Sequence, residues 1–358
     1  AAADGAAAAA AGASTVPWLQ HLTSLNLSGT RQTDNSLNLL ASAAAFSLAR
    51  LCVSGCFHIT VAGLSCLPNM PDLTSLDVSS CLSLREGTGE AVKLIRGLTE
   101  LDVSECKLTQ RDTAALAASP SLQKLCVAGC SAIGGVASVS PLYSLRNLTR
   151  LDLSGCGLLR EDSLADVASL GKLLYLDISH CVNVRNPASL AGLTGLTTLK
   201  LRHTSVTDAG MGCLAALANL QHLDLFGCSL SDAGLAWLQE LPELETVVLS
   251  KLRMATGAVL TDVLAKCSTL SKVDVCACPR VSVDSILRFL RFKAENRTHR
   301  CVSVVTNAVF SAKSVGGRTR RGIGVDVTAV KVLNQFSPEV FFTPLADNNS
   351  NNNSSSSS

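Results

Sequence analysis

The chain has 358 residues, of which 47% are hydrophobic, 4% aromatic and 16% charged. Thirty Lys and Arg against 28 Asp and Glu leave a net charge of +2, which excludes a globally basic nucleic-acid binder and a strongly acidic chain alike. Mean hydropathy is high at +0.32, yet no run of eighteen apolar residues occurs, so no membrane-spanning helix is expected.

In chain order, residues 1–13 are nearly all Ala and lack the basic start and Leu-rich stretch of a signal peptide. They are expected to form a disordered flank. One spacing then recurs. Leu22-x-x-Leu25-x-Leu27 is followed by Leu48/Leu51/Val53, Leu73/Leu76/Val78, Leu98/Leu101/Val103, Leu122/Leu125/Val127 and Leu148/Leu151/Leu153. It continues as Leu173/Leu176/Ile178, Leu196/Leu199/Leu201, Leu220/Leu223/Leu225, Leu244/Val247/Leu249 and Leu270/Val273/Val275. Three residues past each third anchor stand Thr30, Cys56, Cys81, Cys106, Cys130, Cys156, Cys181, Thr204, Cys228, Leu252 and Cys278, in steps of 23 to 26 residues. A degraded twelfth copy is read at His299/Val302/Val304 with Asn307.

Alternation within each copy predicts a short strand with one buried face. The second half of a copy reads as a helix. In Thr207-Asp208-Ala209-Gly210-Met211 and Ser231-Asp232-Ala233-Gly234-Leu235 an acidic residue precedes apolar residues at helical spacing, so Asp208 is expected to cap its own helix. One strand and one helix cannot bury their apolar faces alone, whereas stacked neighbours can. Parallel strands about 4.8 Å apart would form one wall and the helices the other.

The motif L-x-x-L-x-L-x-x-C resembles the leucine-rich repeat family in its cysteine-containing subtype, over about residues 18–307. The resemblance implies an α/β solenoid, a right-handed horseshoe with a parallel β-sheet on the concave face and helices on the convex face. The repeat domain is placed at 14–307, followed by a basic capping segment at 308–346 and an Asn/Ser tail at 347–358. It also implies a non-enzymatic scaffold or receptor that binds a protein partner through its concave face. The subtype is best known in F-box substrate receptors of ubiquitin ligases, but only 21 mostly small residues precede the first anchor, too few for an F-box. A subunit of a cytoskeletal, flagellar or ribonucleoprotein assembly is an alternative, and a pathogen effector or surface antigen is another of a different class.

Eight of the fifteen cysteines occupy the anchor position, where each acts as a small hydrophobe with a weak S–H donor. A reduced, structural ladder is expected, and with it an intracellular setting, cytoplasmic or nuclear. Cys52/Cys56, Cys126/Cys130 and Cys276/Cys278 resemble zinc half-sites, but the register turns the two members of each pair to opposite faces. His180 and His203 share one position in adjacent copies without clear third and fourth ligands. No nucleophile elbow, phosphate loop, zinc-protease motif or dinucleotide fingerprint occurs in a fitting context, so neither an enzyme nor a cofactor is expected.

The register also names the residues facing out of the concave wall. Asp77, Asp102, Asp152, Asp177, Asp224 and Asp274 make an acidic stripe, read as solvated and partly offset by Lys124 and Arg150. A second strip departs from the Ser and Asp pattern. Tyr175, Lys200, Arg202, His203, His222, Asp224, Phe226 and Lys251 fall on the seventh to tenth copies, with scarce aromatics expected to be exposed. Aromatic and Arg side chains are preferred anchors of protein interfaces, so this strip is the candidate partner site. From Arg288 to Lys331 basic residues dominate. Gly317-Arg318-Thr319-Arg320-Arg321-Gly322 is the loop suited to RNA or another anionic partner, although no aromatic residues interleave for base stacking.

Overall fold

The computed structural model describes residues 21–43, 47–295 and 302–306. Twelve three-residue strands follow one another: β1 Ser24–Asn26, β2 Arg50–Cys52, β3 Ser75–Asp77, β4 Glu100–Asp102, β5 Lys124–Cys126 and β6 Arg150–Asp152. Then come β7 Tyr175–Asp177, β8 Thr198–Lys200, β9 His222–Asp224, β10 Thr246–Val248, β11 Lys272–Asp274 and β12 Ser303–Val305. They form one parallel sheet in sequence order, so every strand pairs only with its neighbours in the chain. The twelfth copy is a strand, but its register lies two residues later than the sequence reading: Val304 pairs with Val273 and is the fully buried second anchor rather than the third.

Each strand is the x-Leu-x centre of its motif. The middle residue, such as Leu101, Leu151 or Leu199, points inward and is at most 1% exposed, while its two neighbours face out of the wall. The third anchor then turns in, and a buried row of Leu, Val and Ile runs the length of the stack. No copy could bury this surface alone.

Past the third anchor the backbone turns the same way in each of the first eleven copies. The second residue after it has positive φ, between 53° and 70°, whether it is Gly, Ser, Glu, His, Lys or Ala. Its N–H donates to a carbonyl of the next copy, as in Gly129 to Ser154 at 2.7 Å and His203 to Phe226 at 2.8 Å. The left-handed turn thus extends the ladder beyond the strand.

One residue later the anchor thiol closes the turn. Cys81, Cys106, Cys181 and Cys228 donate through Sγ to Val53, Val78, Leu153 and Leu201 at 3.0–3.3 Å, each a third-anchor carbonyl of the preceding copy. All fourteen described cysteines are free thiols. Thr204 stands in for Cys in its copy and bonds its own Leu201 carbonyl at 2.7 Å.

The convex side differs from the expected helices. Among the described residues it consists mostly of single turns of α or 3-10 helix of three to five residues, with longer helices only at Asp34–Ala43, Gln110–Leu116 and Val283–Glu295. The nine residues from first anchor to Cys take over a third of a 23- to 26-residue copy and the connecting segments take much of the rest, which leaves little for a helix. Asp208 is also not the expected cap. Thr207 holds the cap position, and the Asp208 carboxylate instead accepts from the N–H of Ser231 in the next copy at 2.9 Å and from its hydroxyl. Asp34 holds Thr60 in the same way, through N–H at 2.8 Å and Oγ1 at 2.7 Å. A Cβ on Gly234 would lie 2.0 Å from Asp208 Oδ1, so this glycine leaves room for the clamp.

The final helix, Val283–Glu295, buries Ile286, Phe289 and Leu290 and exposes Arg288, as expected for the eleventh copy. Lys293, read as part of the basic segment, is instead 4% exposed and donates through Nζ to the Cys267 carbonyl. The Ala-rich flank, the 308–346 segment with Arg318, Arg320 and Arg321, and the Asn/Ser tail lie outside the described residues.

Candidate interaction face of the concave sheet

Two aromatic rings organise the strip. Tyr175 starts β7, and the register sets it between Arg150 on β6 and Thr198 on β8. The Arg150 guanidinium lies 3.6 Å from its ring centroid, and Lys200 Nζ lies 5.2 Å away. Tyr175 Oη meets Asp177 Oδ2 at 3.2 Å, and Lys200 Nζ pairs with the same oxygen at 3.6 Å. Burial first, then the Asp177 charge, pushes the Tyr175 phenol far above its ordinary range.

Phe226 stands just beyond β9. The Arg202 guanidinium lies 4.6 Å from its ring centroid and Lys251 Nζ 4.9 Å. The His203 imidazole meets the ring edge-on at 5.0 Å and lies 5.0 Å from His180. Arg202 Nε is buried without a hydrogen-bond acceptor and reaches Asp224 only at 3.6 Å. Burial, followed by His180, Lys251 and Arg202, holds the His203 pKa below its usual value. The cation–ring contacts are each worth about 0.5–2 kcal/mol, depending on how dry they are.

The structure therefore brings together seven of the eight predicted strip residues. His222 is the exception: it is exposed at the start of β9, beside Thr198 and Thr246, and joins neither ring. Tyr175 and Phe226 are half-buried rather than open, because the cations lie over them. Sequence reasoning missed Arg150 as a member, having read it as a counter-charge for the Asp stripe. The cross-strand register, one copy before Tyr175, carries that information. Lys124 likewise pairs with Glu100 at 2.5 Å rather than with the stripe.

His180, His203 and Lys251 occupy the left-handed turn positions, with φ of 62°, 53° and 60°. Glycine adopts this conformation without a Cβ penalty. The neighbouring copy yields space to one of them: a Cβ on Gly227 would lie 2.5 Å from the His203 ring.

The Asp stripe is only partly solvated, with Asp177 buried and the other five half-buried. Asp77, Asp102, Asp152, Asp177, Asp224 and Asp274 each accept the N–H two residues on, at 2.9–3.0 Å, and Asn26 does the same in the first copy. The carboxylates thus brace the turn after each strand. Burial pushes Asp102 up to about 6, and also raises Asp152 and Asp224. Cys52 donates to Asp77 at 3.2 Å, and desolvation pushes its thiol up to about 12, so it is not a nucleophile at neutral pH. Cys52 and Cys126 face the concave side while Cys56 and Cys130 are buried, as the register requires. Among the described residues no three His, Cys, Asp or Glu side chains gather as a metal site. No helix among them is long and apolar enough to cross a membrane.

A family model described as Leucine Rich repeat matches residues 193–215 and 216–236, and one described as Leucine Rich Repeat matches 147–170. These segments hold the sixth, eighth and ninth copies. No curated protein matches the sequence. Among solved structures, a chain of the yeast Rad7–Elc1 complex covers 85% of this chain and 81% of its own, with 18% identity and a TM-score of 0.59. An internalin, InlF of Listeria monocytogenes, covers 82% and 88%, with 17% identity and a TM-score of 0.52. The mouse RP105/MD-1 complex matches over 77% of this chain and 46% of that chain, with 20% identity and a TM-score of 0.52. At such identities the likeness is one of fold, and that fold is a leucine-rich-repeat solenoid.

Proposed function

We propose that this chain is a protein-binding scaffold without catalytic activity, whose partner docks on the concave strip from β6 to β10. One observation carries the reading. Over these strands, and nowhere else on the described sheet, the Ser and Asp pattern gives way to two rings bracketed by Arg150, Lys200, Arg202 and Lys251. Rings bring large contact area with few rotamers to fix, and Arg beside them is a preferred interface anchor. The yeast and mouse neighbours were each solved with a protein partner, Elc1 and MD-1, so the fold serves that role elsewhere. Anchor thiols engaged with carbonyls of the preceding copy support a reducing compartment, cytoplasm or nucleus.

Affinity purification from the protein's own cells with mass spectrometry tests this. The comparison chain carries Tyr175→Ala, Arg202→Ala and Phe226→Ala together. Partners lost in the variant support the concave strip, provided its melting curve still shows a folded chain. Their identity separates a ligase receptor, which would bring adaptor and cullin subunits, from a subunit of a larger assembly. Unchanged partners would move the site off the strip.

A further inference from the structure

We infer that the strip takes an extended acidic segment of the partner, whose carboxylates engage Arg150, Lys200, Arg202 and Lys251. This rests on the reading of the strip as the partner site and adds the chemistry of what docks there.

The first argument is charge. Of the four cations, Lys200 and Arg202 meet a carboxylate, each at 3.6 Å and so beyond a hydrogen bond. Among the described residues no carboxylate lies within ion-pair distance of Arg150 or Lys251; their heads rest on Tyr175 and Phe226 instead. Earlier in the sheet the sign is opposite. Asp77, Glu100, Asp102 and Glu105 gather around β3 and β4, where Lys124 is already paired with Glu100. An acidic segment is drawn to one part of the face and repelled from the other, which fixes its position along the sheet.

The second argument is spacing. Arg150 belongs to β6, Lys200 and Arg202 to the copy of β8, and Lys251 to the copy of β10. Their heads converge in two groups, Arg150 and Lys200 on the Tyr175 ring and Arg202 and Lys251 on the Phe226 ring, whose copies lie two strands apart, about 10 Å across the sheet at 4.8 Å per strand. An extended chain advances about 3.3 Å per residue, so acidic residues three positions apart match the cations.

The rings argue for a peptide over a nucleic acid. A base needs an open aromatic face, whereas Arg150 covers Tyr175 and Arg202 covers Phe226.

The test is a display selection of randomised short peptides on the full chain. Two variants are run beside it, Arg150→Gln with Lys251→Gln, and Tyr175→Ala with Phe226→Ala. Melting curves are recorded for both. The expected result is enrichment of Asp and Glu at three-residue spacing. A labelled consensus peptide should bind the double Gln variant about tenfold more weakly at low salt, with the difference shrinking as salt screens the parent's charge contacts. Neutral or basic peptides that still need Tyr175 and Phe226 would overturn the acidic class and leave the strip as the site. Peptides indifferent to both variants would overturn the strip itself. Failure to enrich any sequence would overturn the acidic-segment inference.

Discussion

Asp102 turns its carboxylate back on its own chain, accepting Ser104 N–H at 2.9 Å and its hydroxyl at 2.6 Å, while burial and the charges of Asp77 and Asp152 oppose its ionisation. Folding raises this pKa from 3.8 to about 6, so the fold favours the protonated acid. That favourable contribution is complete below pH 3.8 and is lost as pH rises through about 6. Asn26 makes the same turn without a charge. Asp102→Asn should therefore raise stability near pH 8 by about 1–3 kcal/mol, with the gain vanishing near pH 4, as denaturant melts at both pH values would show. His203 is the opposite case, a residue whose backbone conformation suits glycine. Replacing it with Gly should keep stability within about 1 kcal/mol of the parent, because relief of the left-handed turn offsets added freedom in the unfolded chain. Partner binding should weaken in the same variant. A large loss of stability with unchanged binding would make His203 a folding residue.

Within one copy, the strand, the left-handed turn and the anchor thiol all send hydrogen bonds to a neighbouring copy. The Asp208 clamp belongs to this set, although its sequence context reads as an ordinary helix cap. The two roles make different predictions. A cap acts within its own helix, whereas the clamp couples Asp208 to Ser231 across copies. A double-mutant cycle of Asp208→Ala and Ser231→Ala should give a coupling of about 1–2 kcal/mol by urea melts. A coupling near zero would restore the cap. Sequence reasoning found the clamp's residues but assigned them locally, because a carboxylate's reach to the next copy depends on how closely copies stack. Gly234, like Gly63 at the Asp34 clamp, is the sequence trace of that closeness.

Across the whole molecule, a sheet in strict chain order makes stability a sum of neighbouring interfaces. Leu201 is fully buried near the middle of the stack, and its carbonyl receives both the Thr204 hydroxyl and the Cys228 thiol. Leu201→Ala should cost about 2–5 kcal/mol through the cavity. Hydrogen exchange should then rise most in the copies of β7 to β9 and least toward β2, and a harmless substitution would contradict the register. The charge pattern also belongs to this scale: acidic residues on β3 and β4 and cations over β6 to β10 lie on one wall only because every copy repeats the same register.

The repeat itself, the inward and outward alternation, the thiol row and seven members of the strip were all legible in the sequence, because period-two alternation and a fixed step are local properties of the chain. Three features came only from the tertiary structure. Arg150 joins Tyr175 because parallel pairing places successive copies side by side, and no spacing within one copy records that contact. The stripe of Asp is half-buried and bonded to the turn after each strand rather than freely solvated, because neighbouring strands flank it on both sides. The convex helices shrink to single turns because the strand and turn leave few residues for them, and inter-copy bonds, not helix length, hold that side together. Local pattern determines which way a residue faces. What it meets there depends on the neighbouring copies, which approach only when the stack forms.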